Sequence, residues 1–156
     1  MKNWYLACYK RGKLNLFKAL MSLEMMNVTT FSPKIYRKVS RTDRPGQYRE
    51  IIECLFPGYF FILFDPEVCH TSKIERVTGL SYLVRFGGEI KPINRQVVEE
   101  IMCLPICRNG GTVVNNEKHD NELAKKLHTI AEIESAPERF SQFCGLMGAK
   151  IISNGH

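Results

Sequence analysis

No long hydrophobic run is present: the apolar run from Leu55 to Phe64 is half of what a membrane span requires and contains Pro57 and Gly58. Met1-Lys2-Asn3-Trp4 is not followed by a long apolar stretch and a small-residue cleavage site. No signal peptide is therefore expected, and the chain is expected to stay in the cytoplasm, without membrane attachment. Histidine is scarce: His70, His119, His128 and His156 are all there are. Glycine-rich phosphate loops, zincin helices and nucleophile elbows are absent, which argues against the commoner nucleotide, zinc-protease and hydrolase chemistries. Cys69 lies beside His70, but neighbours in a chain rarely face each other, so a nucleophile pair is not expected. Cys103 and Cys107, with His119 and His128 downstream, suggest zinc only loosely. The eight residues between the two histidines break the usual spacing, so neither a metal nor another cofactor is expected. The six cysteines are irregularly spaced, and reduced, mostly buried thiols are expected.

Acidic residues are short in the first third. Residues 1–50 hold eleven Lys and Arg against three Asp and Glu, whereas residues 51–156 hold eleven against thirteen. A basic first third points to a polyanion, most simply nucleic acid; the alternative is a solvated face that aids solubility. Lys10, Arg11, Lys13 and Lys18 cluster where a first strand meets a first helix, and Arg37, Lys38, Arg41, Arg44 and Arg49 lie on a hairpin. Both groups could follow a phosphate backbone. The length of 156 residues, 44% of them hydrophobic, suits one domain with a small appendage.

The pattern predicts a strand over Asn3–Tyr9, apolar on both faces as in a sheet centre. A helix follows over Lys13–Met26, with Leu14, Phe17, Met21 and Met25 on a core face that Leu16, Leu20 and Leu23 widen. Val28–Phe31 is a short strand. Ile35–Val39 and Tyr48–Ile52 flank a basic tip as a hairpin. Leu55-Phe56-Pro57-Gly58 turns into a strand over Tyr59–Phe64. Asp65 then caps a short helix with Pro66 at its first position. Leu80–Phe86 is a strand, and Ile93–Met102 a helix with Val97, Val98, Ile101 and Met102 inward. The order implies an α+β sandwich: one mainly antiparallel sheet with packed helices.

Cys103–Asn116 reads as a linker. Beyond it, Leu123, Leu127, Ile130 and Ala131 form one apolar stripe, and Phe140, Phe143, Cys144 and Met147 another. Ser135 and Glu138 have capping-box spacing between them. Two helices too short to stand alone in water are expected to lie on something.

Tyr59, Phe60, Phe61 and Phe64 are the densest aromatic group. Alternation puts Tyr59 and Phe61 on one face and Phe60 and Phe64 on the other. One set should be core; the other is either a protein-binding patch or covered by helices.

Trp4-Tyr5-Leu6 with Lys10-Arg11-Gly12, then Leu55-Phe56-Pro57-Gly58-Tyr59-Phe60-Phe61, resemble the NusG/RfaH family of transcription elongation factors. Phe64-Asp65-Pro66-Glu67-Val68, His70-Thr71, Gly79 and Val84-Arg85-Phe86-Gly87 continue the likeness in order over residues 1–102. It is nearer to RfaH-like antiterminators, such as the plasmid-borne ActX type, than to general NusG. The resemblance implies a NusG N-terminal-type domain over 1–102, a linker over 103–117 and a helical tail over 118–150. It implies a non-enzymatic, monomeric factor that binds the two largest subunits of RNA polymerase and the non-template DNA strand, and so suppresses pausing and termination. Tyr59, Phe61, Phe56 and Pro57 would meet the clamp helices, His70, Thr71 and Ser72 the gate loop, and Lys10, Arg11, Lys13 and Arg76 the DNA. Leu20, Leu23 and Thr78 stand where RfaH carries DNA-reading side chains, although Arg76 lies close, so the resemblance does not imply the same DNA element. Residues 108–156 read helical and polar, without the Gly-punctuated strands of the family's KOW barrel, which leaves a ribosomal-protein partner open. Two other readings stay open: a stand-alone nucleic-acid-binding regulator, and a Cys/His metal or redox enzyme.

Overall fold

The computed structural model describes residues 1–105 and 122–153, the side chains of the latter segment as far as Gly148. The described chain forms two compact units. One holds Met1–Ser32, Gly58–Val98 and the residues from Cys144 on; the other holds Pro33–Pro57 and the described residues from Glu99 to Phe143.

The first unit is built on a four-stranded antiparallel sheet. Strands β1 (Asn3–Tyr9), β2 (Thr29–Phe31), β5 (Tyr59–Phe64) and β6 (Leu80–Leu83) stand in the order β2-β5-β1-β6. β1 therefore pairs on both sides, as its two apolar faces require: Leu6 faces Phe61 across to β5, and Ala7 faces Leu83 across to β6. One sheet face carries Tyr5, Ala7, Phe60, Ile62 and Phe64. It packs with Ala19 and Leu23 of helix α1 (Asn15–Met25), and with Val28, Ile74, Val77, Leu80 and Leu83. The other face buries Trp4, Leu6 and Phe61. Ile93 bridges to Trp4, its amide donating to the Trp4 carbonyl at 2.7 Å.

α1 is turned round relative to the sequence expectation. Leu14, Phe17, Met21 and Met25, expected in the core, are exposed, while Ala19 and Leu23 are buried and Leu16 and Leu20 half-buried. Both faces are apolar, so hydrophobicity alone does not choose between them. Close approach does. Gly79 has φ +86°, and a Cβ built there would lie 2.3 Å from the Asn15 carbonyl oxygen and 3.0 Å from the Ala19 nitrogen. Only a helix face with a small residue, Ala19, reaches so near, and only glycine on the other side admits it.

Asp65 does not cap a helix. It closes a turn, accepting from the Glu67 amide at 2.9 Å, and helix α2 (Thr71–Glu75) begins later. The strand expected over Leu80–Phe86 breaks after Leu83. Arg85–Phe86 (β7) instead pairs with Glu89–Ile90 (β8) across Gly87-Gly88. Helix α3 (Arg95–Cys103) buries Val97, Val98 and Ile101 as expected, but leaves Met102 exposed.

The second unit contains the hairpin of β3 (Lys34–Ser40) and β4 (Tyr48–Cys54), which pairs Lys34 with Cys54 and runs to Ser40 opposite Tyr48. Helix α4 (Glu122–Glu132) buries the expected stripe of Leu123, Leu127, Ile130 and Ala131. Helix α5 (Ala136–Ser153) starts at Ser135, whose hydroxyl accepts from the Glu138 amide at 3.4 Å and whose carbonyl accepts from the Arg139 amide at 2.9 Å. Phe143 and Met147 are buried on α5. The molecule is thus an α+β protein with antiparallel sheets and C-terminal helices. Among the described residues no helix is long and apolar enough to cross a membrane.

Candidate functional site

Tyr59 opens β5, and its position is fixed by the residue before it. Gly58, at φ +95°, donates its amide to the Tyr9 hydroxyl at 2.9 Å, and its carbonyl accepts from the Tyr9 amide at 3.0 Å. In register, Cys8 lies between Tyr59 on β5 and Tyr82 on β6, so the three form a row across the sheet. The Tyr82 phenol is pushed up to about 12, first by its hydrogen bond with the Cys8 side chain, then by the Cys8 charge, by burial and by Tyr59. Tyr59 and Cys8 are half-buried and Tyr82 exposed. Cys8 and Tyr82 escape sequence reading, because strand pairing brings together positions that are far apart in the chain.

Phe61 points the same way as Tyr59 but is fully buried, with the Phe31 ring stacked on it at 6.0 Å. In the second unit, Phe56 is likewise buried: Phe143 lies against it with ring centroids 4.7 Å apart, and Phe140 meets it edge-on at 5.9 Å. Pro57 is exposed.

The helical tail is tied to the end of β4 by arginines. Arg139 has no exposed surface and donates to four carbonyls: Leu55 at 2.9 Å, Cys54 at 3.3 Å, Ile133 at 2.8 Å and Glu134 at 3.1 Å. Burial holds its pKa below the ordinary arginine range, opposed by the Glu53 carboxylate 3.6 Å away. Arg37, grouped in the sequence with bases that could follow phosphates, instead donates to the Ala131 and Ile133 carbonyls at 3.3 and 2.9 Å and pairs with Glu53 at 3.5 Å. Arg41 pairs with Asp43 within the hairpin tip.

His70, Thr71 and Ser72 form the start of α2. His70 is its N-cap: Nδ1 accepts from the Ser72 amide at 3.1 Å and lies 2.8 Å from the Ser72 hydroxyl. Thr71 and Ser72 line an open cleft of about 330 Å³ with Glu75, Arg76, Arg85 and Ile90. Arg85 is paired with Glu75 at 3.7 Å. The structure thereby brings Arg76 together with two of the three residues at the start of α2.

Lys10, Arg11 and Lys13 occupy the turn between β1 and α1. The Lys10 amide donates to the Gly79 carbonyl at 2.8 Å, and the Arg11 carbonyl accepts from the Asn15 side chain at 2.6 Å. The backbone is held and Lys10, Arg11 and Lys13 are exposed. Of the loose Cys/His grouping, Cys103 is exposed and His128 sits on α4, 3.5 Å from Glu132; Cys107 and His119 lie outside the described residues. Among the described residues no cluster of three metal-ligating side chains occurs.

Residues 2–102 match the family model described as "Transcription termination factor nusG", and the chain belongs to the NusG family. Members of this family are non-enzymatic transcription factors that bind RNA polymerase, so the chain falls among elongation and antitermination factors.

Proposed function

We propose that the protein is an RfaH-like antiterminator of the cytoplasm. It engages the polymerase clamp helices through Tyr59, Phe56 and Pro57, with Phe61 buried behind Tyr59 on the same sheet face, the gate loop through His70, Thr71 and Ser72, and the non-template DNA strand through Lys10, Arg11, Lys13 and Arg76. The Tyr59 row, with Cys8 and Tyr82 beside it, supports an aromatic anchor of the kind that carries interface energy. The cleft shared by Thr71, Ser72 and Arg76 supports a polar contact next to it, and the exposed basic turn supports backbone tracking of a nucleic acid.

The observation that carries the reading furthest is the covering of Phe56 by Phe140 and Phe143. A side chain that is to anchor a partner is packed under the chain's own helix, and Arg139 clamps that helix to the consecutive carbonyls of Cys54 and Leu55. This supports a tail over 118–150 that masks Phe56 until a DNA signal releases it. Masking of this kind must be weak enough for ligand binding to reverse, on the order of a few kcal/mol. Retention on core RNA polymerase tests both parts. The full chain should bind weakly without DNA, and deletion of residues 108–156 should raise binding. Weaker or equal binding by a folded truncated chain removes the masking, and no binding by either form under any condition removes the polymerase reading.

A further inference from the structure

The outer face of α1 has no part in the reading above. Leu14, Phe17, Met21 and Met25 follow one another at three- and four-residue spacing and are exposed to 63%, 61%, 47% and 84%. The opposite face of the same helix already fills the core through Ala19 and Leu23. Single exposed apolar residues are ordinary on a protein surface, but a contiguous line of large ones along a whole helix marks an interaction surface. Lys18 borders this line one turn from Leu14, Lys13 precedes it, and Lys10 and Arg11 stand in the turn at its start; all four are exposed. Glu24 is the one acidic residue in the first 42 of the sequence.

We propose that this face docks an acidic amphipathic helix belonging to a partner protein. The spacing offers a ridge on which a second helix can lie, and Met and Leu adapt to its side chains. From Leu14 to Met25 the line runs about 16 Å, the length of three helical turns. Carboxylates on the flank of the incoming helix meet Lys10, Arg11, Lys13 and Lys18 at one end. Charge argues against a second copy of this chain, because pairing the face with itself sets four bases of each copy against a single Glu24. Ring count argues against a single-stranded nucleic acid, whose bases stack on aromatic platforms: of the four residues in the line only Phe17 is aromatic. The inference stands on α1 and the basic turn before it, and it does not depend on polymerase binding.

The test uses the full chain and a fluorescent helical peptide of about sixteen residues, with leucines at three- and four-residue spacing and glutamates elsewhere. Anisotropy should show binding at least about tenfold tighter than that of the same peptide with lysines in place of the glutamates. The double variant Phe17→Ser, Met21→Ser should lose at least about tenfold, with an unchanged circular dichroism spectrum because neither side chain is in the core. Met25→Ser, at the most exposed position, repeats the measurement should the double variant misfold. Equal affinity for the two peptides, or affinity indifferent to Phe17, Met21 and Met25, overturns the proposal. So does a dimer in sedimentation velocity that the double variant dissolves, which gives the face to a second copy. Binding of oligo(dT) that depends on Phe17, without binding of the acidic peptide, gives it to nucleic acid instead.

Discussion

The Nε of Arg139 donates to the carbonyl of Leu55 at 2.9 Å, across 84 positions of sequence. One fully buried guanidinium thus holds the first turn of α5 to the residue that precedes Phe56. Arg139→Met leaves the Cys54, Leu55, Ile133 and Glu134 carbonyls without this donor and removes one of the two arginines that pair with Glu53. The packing of α4 and α5 on the end of β4 should weaken by about 3 kcal/mol or more. Hydrogen exchange should then quicken along both helices while β1 and β5 stay protected. Uniform exchange across the chain would mean that Arg139 holds nothing in particular.

Tyr59 and Phe61 differ as probes of partner binding. Phe61 is fully buried beneath Phe31, so Phe61→Ala should lower stability by about 3–5 kcal/mol through the cavity it leaves. Tyr59→Ala, at a half-buried position, should leave the melting transition nearly in place and weaken retention on polymerase by at least about tenfold. Full retention by a folded Tyr59→Ala chain would remove that residue from the interface.

Lys10 is held by the hydrogen bond from its amide to the Gly79 carbonyl, and both Lys10 and Lys13 expose their side chains, so charge reversal at both should be tolerated by the fold. If they contact phosphates, Lys10→Glu with Lys13→Glu should weaken association with single-stranded DNA and flatten its dependence on salt by about two ion releases at most. A salt slope equal to that of the parent would show that neither lysine touches the backbone.

Gly79→Ala should be among the most damaging single-methyl changes in the chain. The added carbon meets the Asn15 carbonyl at 2.3 Å from a backbone at φ +86°. A loss of about 2–3 kcal/mol or more is expected, with the turn carrying Lys10 to Lys13 displaced. An unchanged unfolding midpoint would mean that α1 withdraws from β6 without penalty.

Tyr82 gives a pH signature. Its folded-state pKa of about 12 lies above the ordinary value near 10, so between these values the folded chain binds more protons than the unfolded one. The stabilisation is complete below about pH 10 and is lost as pH rises towards 12. Tyr82→Phe should flatten the stability profile in that window, and absorbance at 295 nm should lose a phenol that titrates above the ordinary range. A parallel profile for the variant would remove the Cys8–Tyr82 bond as the cause.

Much of this protein was legible from local pattern. Two-sided apolarity put Asn3–Tyr9 at the centre of a sheet, alternation set Phe60 and Phe64 against Tyr59 and Phe61, and the stripe from Leu123 to Ala131 marked a buried helix face. These follow from the periods of strand and helix, which lie within a few residues of sequence. The family motifs are local too, and the match over 2–102 follows from them. Tertiary structure decided the rest. α1 is apolar on both sides, and its buried face was settled by the close approach of Ala19 and Asn15 to Gly79. The row of Tyr59, Cys8 and Tyr82 exists only once β1 has taken β5 and β6 as neighbours in a fixed register. Arg37 and Arg139 carry no sign in the sequence of being anything but surface bases. Both serve as donors to backbone carbonyls, because folding buried those carbonyls where water no longer satisfies them and a long, multiply donating side chain can.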